Sequence, residues 1–532
     1  MTDSPSPLSR RGFLAGLGAT AATIAVGPNL TGGSQAAGAA TGAQPHAAAL
    51  DLNDIQGNIL AGFNKDFASF IAVQFPTAAA GRAWLAELAP QIAPAAEVSA
   101  FNAAFKAVTA RTGSAHAALA ATWLNVAFTY PGLNALAVDA GALSQFAPEF
   151  RAGMAARAAL LGDVGKSAPS QWPAALRVQS HALVIVGADH SADRATAITQ
   201  QKALAAKHGV KVVSVQNGAV RADKPGFEHF GYRDGISQPG IRGYTPVSDP
   251  ANPNYGKPGQ DLVWPGEFLV GHPRQAGAGK PVTAAGPIAA GGPSWAKNGS
   301  FMVFRRLRQD VAGHRAFVKK TAKAIGMDED LVGAKFVGRF KSGAPLEIVG
   351  NVTKDPGIGN PSLLTDAHIN NFKYGTDSAG TLVPLAAHIR KANPRNEAGN
   401  PGGLPAALTH RILRRGIPFG ASLPVTTPVG DPSANPPFPN DRGLFFLCYQ
   451  SSIARQFEFM QSHWANNPNF PTAGAGQDPI SSQAALPGTF TLKGNRTNHV
   501  ELMARFVLTT GGDYFFQPSV SALHTLSVPS TP

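Results

Sequence analysis

Apolar and polar positions alternate with two different periods between residues 51 and 220. Short runs rich in β-branched and aromatic residues predict strands at 69–75, 123–130, 182–188 and 210–215. The segments between these runs favour helices at 79–92, 148–162 and 191–209. Ser191 is the expected N-cap of the last helix, and Gly209 is expected to close it. Four strands with interleaved helices indicate a ferredoxin-like α+β unit, with helices on one face of an antiparallel sheet.

A second unit of alternating strands and helices is predicted in the C-terminal half of the chain. Strands are expected at 299–310, 444–453, 500–510 and 513–518, and helices at 316–327 and 454–464. The tracts 243–298 and 342–442 are rich in glycine and proline and are expected to be long loops. The pattern therefore predicts an α+β fold with two halves, each interrupted by loops.

These features divide the chain into four expected parts. An export signal and linker occupies 1–45, and the first α+β half occupies 46–242. A Gly/Pro-rich insertion follows at 243–298, and the second half runs from 299 to 532.

Composition narrows the classes of function. Only 14% of the residues are charged, against roughly 25% in an average soluble domain, so much of the chain should be buried. The net charge of +13 is spread over the sequence without a long basic run, which argues against nucleic-acid binding. The single cysteine, Cys448, excludes an intramolecular disulfide and any multi-cysteine metal site.

The N-terminus has the three regions of an export signal. Paired arginines in "SRRGFL" precede an apolar run of fourteen residues, "FLAGLGATAATIAV", and small residues follow in "GGSQAAGAA". Fourteen helical residues are too short to cross a hydrocarbon core of about 30 Å. The sequence therefore predicts export by the twin-arginine pathway to the periplasm or the medium, without a membrane span. This pathway carries folded proteins, which suits a protein whose cofactor is loaded before export.

Three segments contain candidate chemistry. In "FEHFGYRDGISQPGI", residues 227–241, Asp234 is either a turn residue or a functional carboxylate among aromatic neighbours. His388 lies in "PLAAHIRKANPR", between an apolar and a basic stretch. The segment "THRILRRGIPFG", residues 409–420, places arginines beside apolar residues, where a fixed charge needs an anionic partner.

Together these segments resemble the dye-decolorizing peroxidase family of haem proteins. The likeness rests on "GYRDG" followed by "ISQP", on "AAHIRKANPR" and on "ILRRGIPFG". Further similar segments are "DIQGNIL", "PGEFLVG", "NGSFMVFRRL", "GLFFLCYQSSIARQFEFMQ" and "GGDYFFQPSVSAL". The ordered set spans nearly the whole chain after the signal.

The resemblance implies two ferredoxin-like halves that enclose one haem b, held mainly by the C-terminal half. By motif position it makes His388 the proximal iron ligand, Asp234 the distal acid/base and Arg414 the distal arginine, with Arg415 as the alternative. It also suggests that Glu458 accepts a hydrogen bond from the proximal imidazole.

The implied activity is that of a haem peroxidase. Hydrogen peroxide would oxidise aromatic, phenolic or dye-like reductants through a high-valent iron intermediate, with bulky dyes oxidised at the surface through Tyr or Trp. An ionised Asp234 predicts activity on the acid side, where a histidine would be protonated. Two alternatives remain open: an exported haem-handling or iron-acquisition protein, and a non-enzymatic cationic binding protein.

Overall fold

The computed structural model describes residues 49–112, 119–249, 251–493 and 497–528. The predicted export segment, 1–45, lies outside the described residues.

Four long strands in the N-terminal half lie where the sequence predicts them. They are β1 (Phe67–Gln74), β2 (Thr122–Phe128), β3 (Ala182–Ala188) and β4 (Lys211–Ala219). All neighbours are antiparallel, in the order β2-β3-β1-β4, which is the ferredoxin-like order. Ile71 and Val73 of β1 enter one hydrophobic cluster and Phe70 enters another, because successive side chains point to opposite faces of the sheet.

The predicted loop 243–298 takes part in two short strand pairs, one of them with a strand just before it. β5 (Gly240–Ile241) pairs in parallel with β6 (Leu262–Val263), and β7 (Pro273–Gln275) pairs antiparallel with β8 (Ala285–Ile288). These pairs give the insertion a fixed backbone next to the main sheet.

The C-terminal half repeats the ferredoxin-like order. Its strands are β9 (Ser300–Gln309), β10 (Leu413–Arg414), β11 (Ile417–Phe419), β12 (Gly443–Gln450), β13 (Gly488–Leu492), β14 (Asn498–Leu502) and β15 (Val507–Gln517). β12 pairs with β9 and β9 with β15, while β10 and β11 both pair with β12. β13 and β14 form a separate hairpin. The predicted strand 500–510 covers the end of β14 and the start of β15, and the predicted strand 513–518 falls in β15, which has a bulge near Gly511.

The two halves share one nine-stranded sheet. β2 and β15 are joined by the pair Phe128–Phe516. At the other end β4 lies against β11, so close that a Cβ on Gly218 would be 2.7 Å from Ile417 Cγ2. The sheet therefore curves until its two ends meet, as in a barrel.

Helices cover the sheet. The longer ones are Ala78–Leu88, Ala95–Thr112, Ser191–Lys207, Val311–Ile325, Glu329–Val337 and Val520–Ser527. Shorter ones are Gly57–Leu60, Tyr130–Ala135, Ala140–Ser144, Pro148–Ala152, Ala158–Leu161, Ala174–Arg177, Leu346–Val349, His388–Ala392 and Gly403–Leu408. Two consecutive π-type segments are Ala454–Glu458 and Met460–Ala465.

Two helix predictions need correction, and the helix Ala95–Thr112 was missed. The segment 148–162 is not one helix but two short ones, Pro148–Ala152 and Ala158–Leu161, separated at Gly153, which has a φ of +74°. The N-cap of the helix at 191–207 is His190, and Ser191 is its first residue, so the predicted cap is wrong by one position. Gly209 follows the helix with a φ of +66°, as expected of a closing glycine.

In the parts of the chain that the structure describes, no helix combines the length and the apolar character needed to cross a membrane.

Candidate active site

A cavity lies on one face of the C-terminal half of the sheet. Its volume is about 290 Å³. Leu307 of β9 and Leu444 and Phe446 of β12 form its floor, because alternate residues of a strand share a face. Further apolar walls come from Val337, Phe340, Ile389, Phe457, Met460 and Ile480. Asp234, His388 and Arg414, which are far apart in sequence, all line it.

His388 is the first residue of the short helix His388–Ala392 and is fixed by a buried carboxylate. Its Nδ1 lies 2.8 Å from Asp478 Oδ2, and since a carboxylate can only accept, the imidazole donates from Nδ1. Burial lowers the pKa of the imidazole, but the charge and the hydrogen bond of Asp478 together outweigh burial and leave this pKa raised. This bond leaves Nε2 of the neutral tautomer as a free lone pair, the form that binds a metal ion.

Asp478 is itself tightly held. Its side chain is fully buried, and Oδ1 accepts the backbone N–H groups of Ile480 (2.8 Å) and Ser481 (3.0 Å). Oδ2 accepts the Ser481 hydroxyl at 2.5 Å in addition to His388. Burial raises the pKa of Asp478, yet His388 and Ser481 together bring this pKa below its ordinary value. The carboxylate is therefore a fixed, charged acceptor for the imidazole.

Glu458 does not have the role that the sequence suggested. Its carboxylate receives two hydrogen bonds from Arg157, at 2.8 and 2.6 Å, and one from the Tyr514 hydroxyl at 3.0 Å. The acceptor of the His388 imidazole is Asp478, in "GQDPISS", which sequence reasoning missed. The available signal was an Asp followed by Ser at the third position, a pattern in which the side chain accepts backbone N–H groups.

Asp234 sits in a sharp bend of the loop between β4 and β5. Gly231 and Gly235 have φ values of +97° and +73°, which favour glycine, and the Asp234 amide donates to Gly226 O at 3.0 Å. Asp234 Oδ1 accepts the Gly235 amide at 2.6 Å and Arg414 Nη1 at 3.0 Å. The two interpretations of Asp234, as a turn residue and as a functional carboxylate, are therefore compatible, because the bend places the carboxylate at the cavity.

The charge of Asp234 depends on Arg414. Burial raises the pKa of the Asp234 carboxyl, but the Arg414 guanidinium and the Gly235 amide lower it by more, so the net pKa is below its ordinary value. About a third of each side chain is exposed, 36% for Asp234 and 32% for Arg414, at positions that line the cavity.

The neighbouring Arg415 points away from the cavity. Its guanidinium donates to the carbonyl oxygens of Asn58 (2.9 Å), Ile59 (3.0 Å) and Leu60 (2.8 Å), at the end of the helix Gly57–Leu60. Arg414 Nη2 instead reaches Ser237 O at 3.3 Å, beside Asp234.

Three more arginines line the cavity, and among the described residues two of them, Arg339 and Arg395, have no carboxylate partner. Arg339 and Arg395 are both 5% exposed, and each donates only to backbone carbonyls and to the Asn370 side chain. Arg411 is 3.5 Å from Asp261. Burial lowers the pKa of Arg339 to about 9 and that of Arg411 to about 10. A buried cation without an anion is costly, so the cavity suits an apolar ligand that carries acidic groups for Arg339 and Arg395 and a metal ion that binds the imidazole of His388. Haem has these properties.

Comparison with known proteins agrees with this geometry. A family model described as the DyP dimeric alpha+beta barrel domain matches residues 54–222, and one described as the C-terminal part of Dyp-type peroxidase matches 275–470. The chain is 32% identical over 517 residues to dye-decolorizing peroxidase msp1 of Mycetinis scorodonius, covering 94% of this chain and 91% of that one. It is 30% identical over 505 residues to multifunctional dye peroxidase DyP2 of Amycolatopsis sp., covering 90% and 96%.

A solved structure extends the agreement to three dimensions. An ancestral D-type dye decolorizing peroxidase matches with a TM-score of 0.74 at 33% identity, covering 91% of this chain and 100% of that one. The fold, the cavity and these relatives define a haem-dependent peroxidase with an α+β barrel. The chain belongs to the dye-decolorizing peroxidase family.

Proposed function

We propose that this chain binds one haem b in the cavity and uses hydrogen peroxide to oxidise aromatic, phenolic or dye-like reductants. The observation that carries the proposal is that one cavity holds both the His388–Asp478 pair and the Asp234–Arg414 pair. The first pair supplies an axial ligand, and the second supplies a proton acceptor beside a fixed positive charge.

Each residue has a definite part in holding the cofactor. His388 Nε2 would bind the iron, and the bond to Asp478 would make the imidazole a more basic ligand. Arg339, Arg395 and Arg411 would neutralise the propionates. When bound, haem would supply a redox-active iron, which peroxide oxidises and the reductant reduces again.

Asp234 would move the proton of the peroxide. Its Oδ1 is engaged by Arg414 and the Gly235 amide, whereas Oδ2 accepts no hydrogen bond from the described residues. Oδ2 can therefore take a proton from peroxide and return it to the leaving oxygen. Arg414 would keep the carboxylate ionised beforehand and stabilise negative charge on that oxygen.

The proposal also includes the class of electron donor and the compartment of the protein, each supported by a different observation. The names of the relatives describe proteins that act on dyes, which supports dye-like donors for this chain. The segment "SRRGFL" and the apolar run after it support export by the twin-arginine pathway to the periplasm or the medium.

Absorbance spectroscopy before and after addition of peroxide tests the proposal. We expect a Soret band that is lost in His388→Ala and kept in Asp234→Asn and Arg414→Leu. In the last two, stopped-flow rates of the peroxide reaction should fall by about 10²- to 10⁴-fold, the usual contribution of a positioned acid/base. Arg415→Leu is the matched control, since Arg415 donates outside the cavity, and it should keep the rate.

Other outcomes point to other functions. A haem band that does not respond to peroxide would favour haem handling, and a colourless folded protein would favour a cationic binding protein. Unchanged rates in both Asp234→Asn and Arg414→Leu would contradict the assigned proton transfer.

A further inference from the structure

The tyrosines and tryptophans of the chain differ in how far they reach the surface. All seven tyrosines and six tryptophans lie within the described residues, and most of them are buried, while Tyr130, Tyr244, Tyr255 and Trp295 are half-buried. A buried aromatic side chain beside the cavity can take part in electron transfer if its oxidised form is stabilised. Oxidation of a buried tyrosine is favourable only if its phenolic proton has somewhere to go, because an unneutralised charge in the interior is costly.

Tyr514 is the tyrosine that meets this condition. It lies on β15 and is fully buried, and its hydroxyl donates to Glu458 Oε1 at 3.0 Å. Its ring centre is 6.3 Å from that of Phe457, whose side chain lines the cavity. One aromatic side chain, that of Phe457, therefore separates Tyr514 from the proposed haem site. Glu458, which binds the Tyr514 hydroxyl, has no part in the proposed peroxide reaction.

The Glu458 carboxylate can take the proton because its own partner reaches solvent. Arg157 binds Glu458 through two hydrogen bonds, and 34% of the Arg157 side chain is exposed while that of Glu458 is only 3% exposed. If Glu458 becomes neutral, the positive charge left on Arg157 is stabilised by water. The three residues thus form a continuous hydrogen-bonded connection from the interior to the surface.

Other buried tyrosines lack such an acceptor. Tyr374 lines the cavity directly, but its hydroxyl has no hydrogen-bond partner in the described structure. Tyr449 donates to the neutral amide oxygen of Gln517 at 2.9 Å. Within the described residues, Tyr514 is the tyrosine whose hydroxyl donates to a carboxylate.

We propose that Tyr514 is a redox-active side chain that transfers one electron to the peroxide-oxidised active site and one proton to Glu458. The phenolic O–H bond breaks, an O–H bond forms on Glu458 Oε1, and a neutral tyrosyl radical remains. Peroxide, consumed in the proposed peroxidase reaction, is the oxidant. An external donor then reduces the radical by one electron, and Glu458 returns the proton. This inference rests on the proposed function.

Electron paramagnetic resonance tests it on the haem-loaded full-length protein, frozen after mixing with an equimolar amount of hydrogen peroxide without reductant. We expect a tyrosyl signal that narrows when the protein is made with ring-deuterated tyrosine. The signal should be lost in Tyr514→Phe and reduced in Glu458→Gln, which keeps the ring but removes the carboxylate. Tyr374→Phe is the matched control and should keep the signal, because Tyr374 is nearer the cavity but lacks an acceptor.

The optical spectrum of the same samples separates two kinds of failure. If the haem band does not respond to peroxide, the proposed function fails and this inference with it. If the band responds but no tyrosyl signal forms, or the signal survives in Tyr514→Phe, this inference alone is overturned. Loss of the signal in Tyr374→Phe instead would show that proximity, not proton acceptance, selects the tyrosine. Glu458→Gln covers the case in which Tyr514→Phe fails to fold.

Discussion

Asp234 is a carboxylate whose ionisation depends mainly on one neighbour. Burial by itself would favour the protonated form, and the guanidinium 3.0 Å away reverses that preference. The residue is useful as a proton acceptor only while it is ionised. The position of Arg414 therefore sets the lower limit of the pH range in which the proposed reaction can run.

The first prediction concerns this limit. In Arg414→Leu, burial remains and the attraction is gone, so the pKa of Asp234 should rise. Because the ionised form is required, the acid limb of the peroxide reaction should move to higher pH, while in the unaltered protein it lies below the ordinary carboxyl pKa of about 4. Stopped-flow rates between about pH 3 and pH 7 measure the shift. The limb should stay in place in Arg415→Leu, and an unmoved limb in Arg414→Leu would mean that another group titrates.

For single residues, the sequence indicated which side chains meet in the cavity but not which partners they contact. The structure brings Asp234, His388 and Arg414 to one cavity, as motif position implied. Asp478 was missed because its function depends on a contact across 90 residues with His388, and Asp-Pro before serines also describes an ordinary turn. Glu458 was misassigned because its apolar surroundings in the sequence do not reveal whether it faces His388 or Arg157.

The loop that carries Asp234 is folded around a second carboxylate. Glu228 accepts the backbone N–H groups of Phe230 and Tyr232, both at 2.8 Å, and Gln309 Nε2 at 2.6 Å. It lines the same cavity and is half-buried, and burial raises the pKa of Glu228 although these three donors oppose the rise. We expect Glu228 to position Asp234, because both of its carboxylate oxygens are engaged by the loop and by Gln309.

The second prediction follows from that arrangement. In Glu228→Gln, an amide NH₂ faces a donor, which should cost about 1–3 kcal/mol of unfolding free energy. The loop should shift and slow the peroxide reaction while haem affinity is kept, as measured by urea unfolding, stopped flow and haem titration. Asp223→Asn is the control, since its ion pair with Arg221 is half-exposed and should contribute no more than about 1 kcal/mol. If both substitutions changed the unfolding free energy and the peroxide reaction equally, Glu228 would not be the residue that positions Asp234.

The sequence predicted strands where the apolar pattern extends over several residues. β1 to β4 have 7 to 9 residues each and lie where apolar runs predict them. β5 and β6 have two residues each, which is too short for any period to show, and only tertiary contact pairs them. The helix Ala95–Thr112 was missed because its many alanines give little contrast between its faces.

The two halves are held together by aromatic packing more than by strand pairing. Only Phe128 and Phe516 pair between β2 and β15, whereas Phe516 contacts Phe146, Phe150 and Phe301 at ring-centre distances of 5.2, 6.5 and 5.3 Å. The sequence indicated two halves but could not show that their sheets join. That pairing links residues far apart in the chain, where local pattern carries no information.

The third prediction tests this junction. Phe516→Ala should lower the free energy of unfolding by about 3–5 kcal/mol, the usual effect of removing a buried aromatic ring. Urea unfolding followed by circular dichroism should still show one transition, because the sheet is continuous. Phe105→Ala is the control, since Phe105 is only partly buried and lies on the helix Ala95–Thr112, away from the junction. Two separate transitions in the unaltered protein would contradict the single sheet as a cooperative unit.

The buried arginines of the cavity have a consequence for the stability of the folded protein. Arg339 and Arg395 satisfy their hydrogen bonds with carbonyl and amide oxygens, which leaves their charge without a counterion among the described residues. An anionic cofactor that binds only the folded chain shifts the folding equilibrium towards the native state. Haem would therefore stabilise the folded protein as well as serve the reaction, because its acidic groups would give these two arginines the counterions that the chain does not provide.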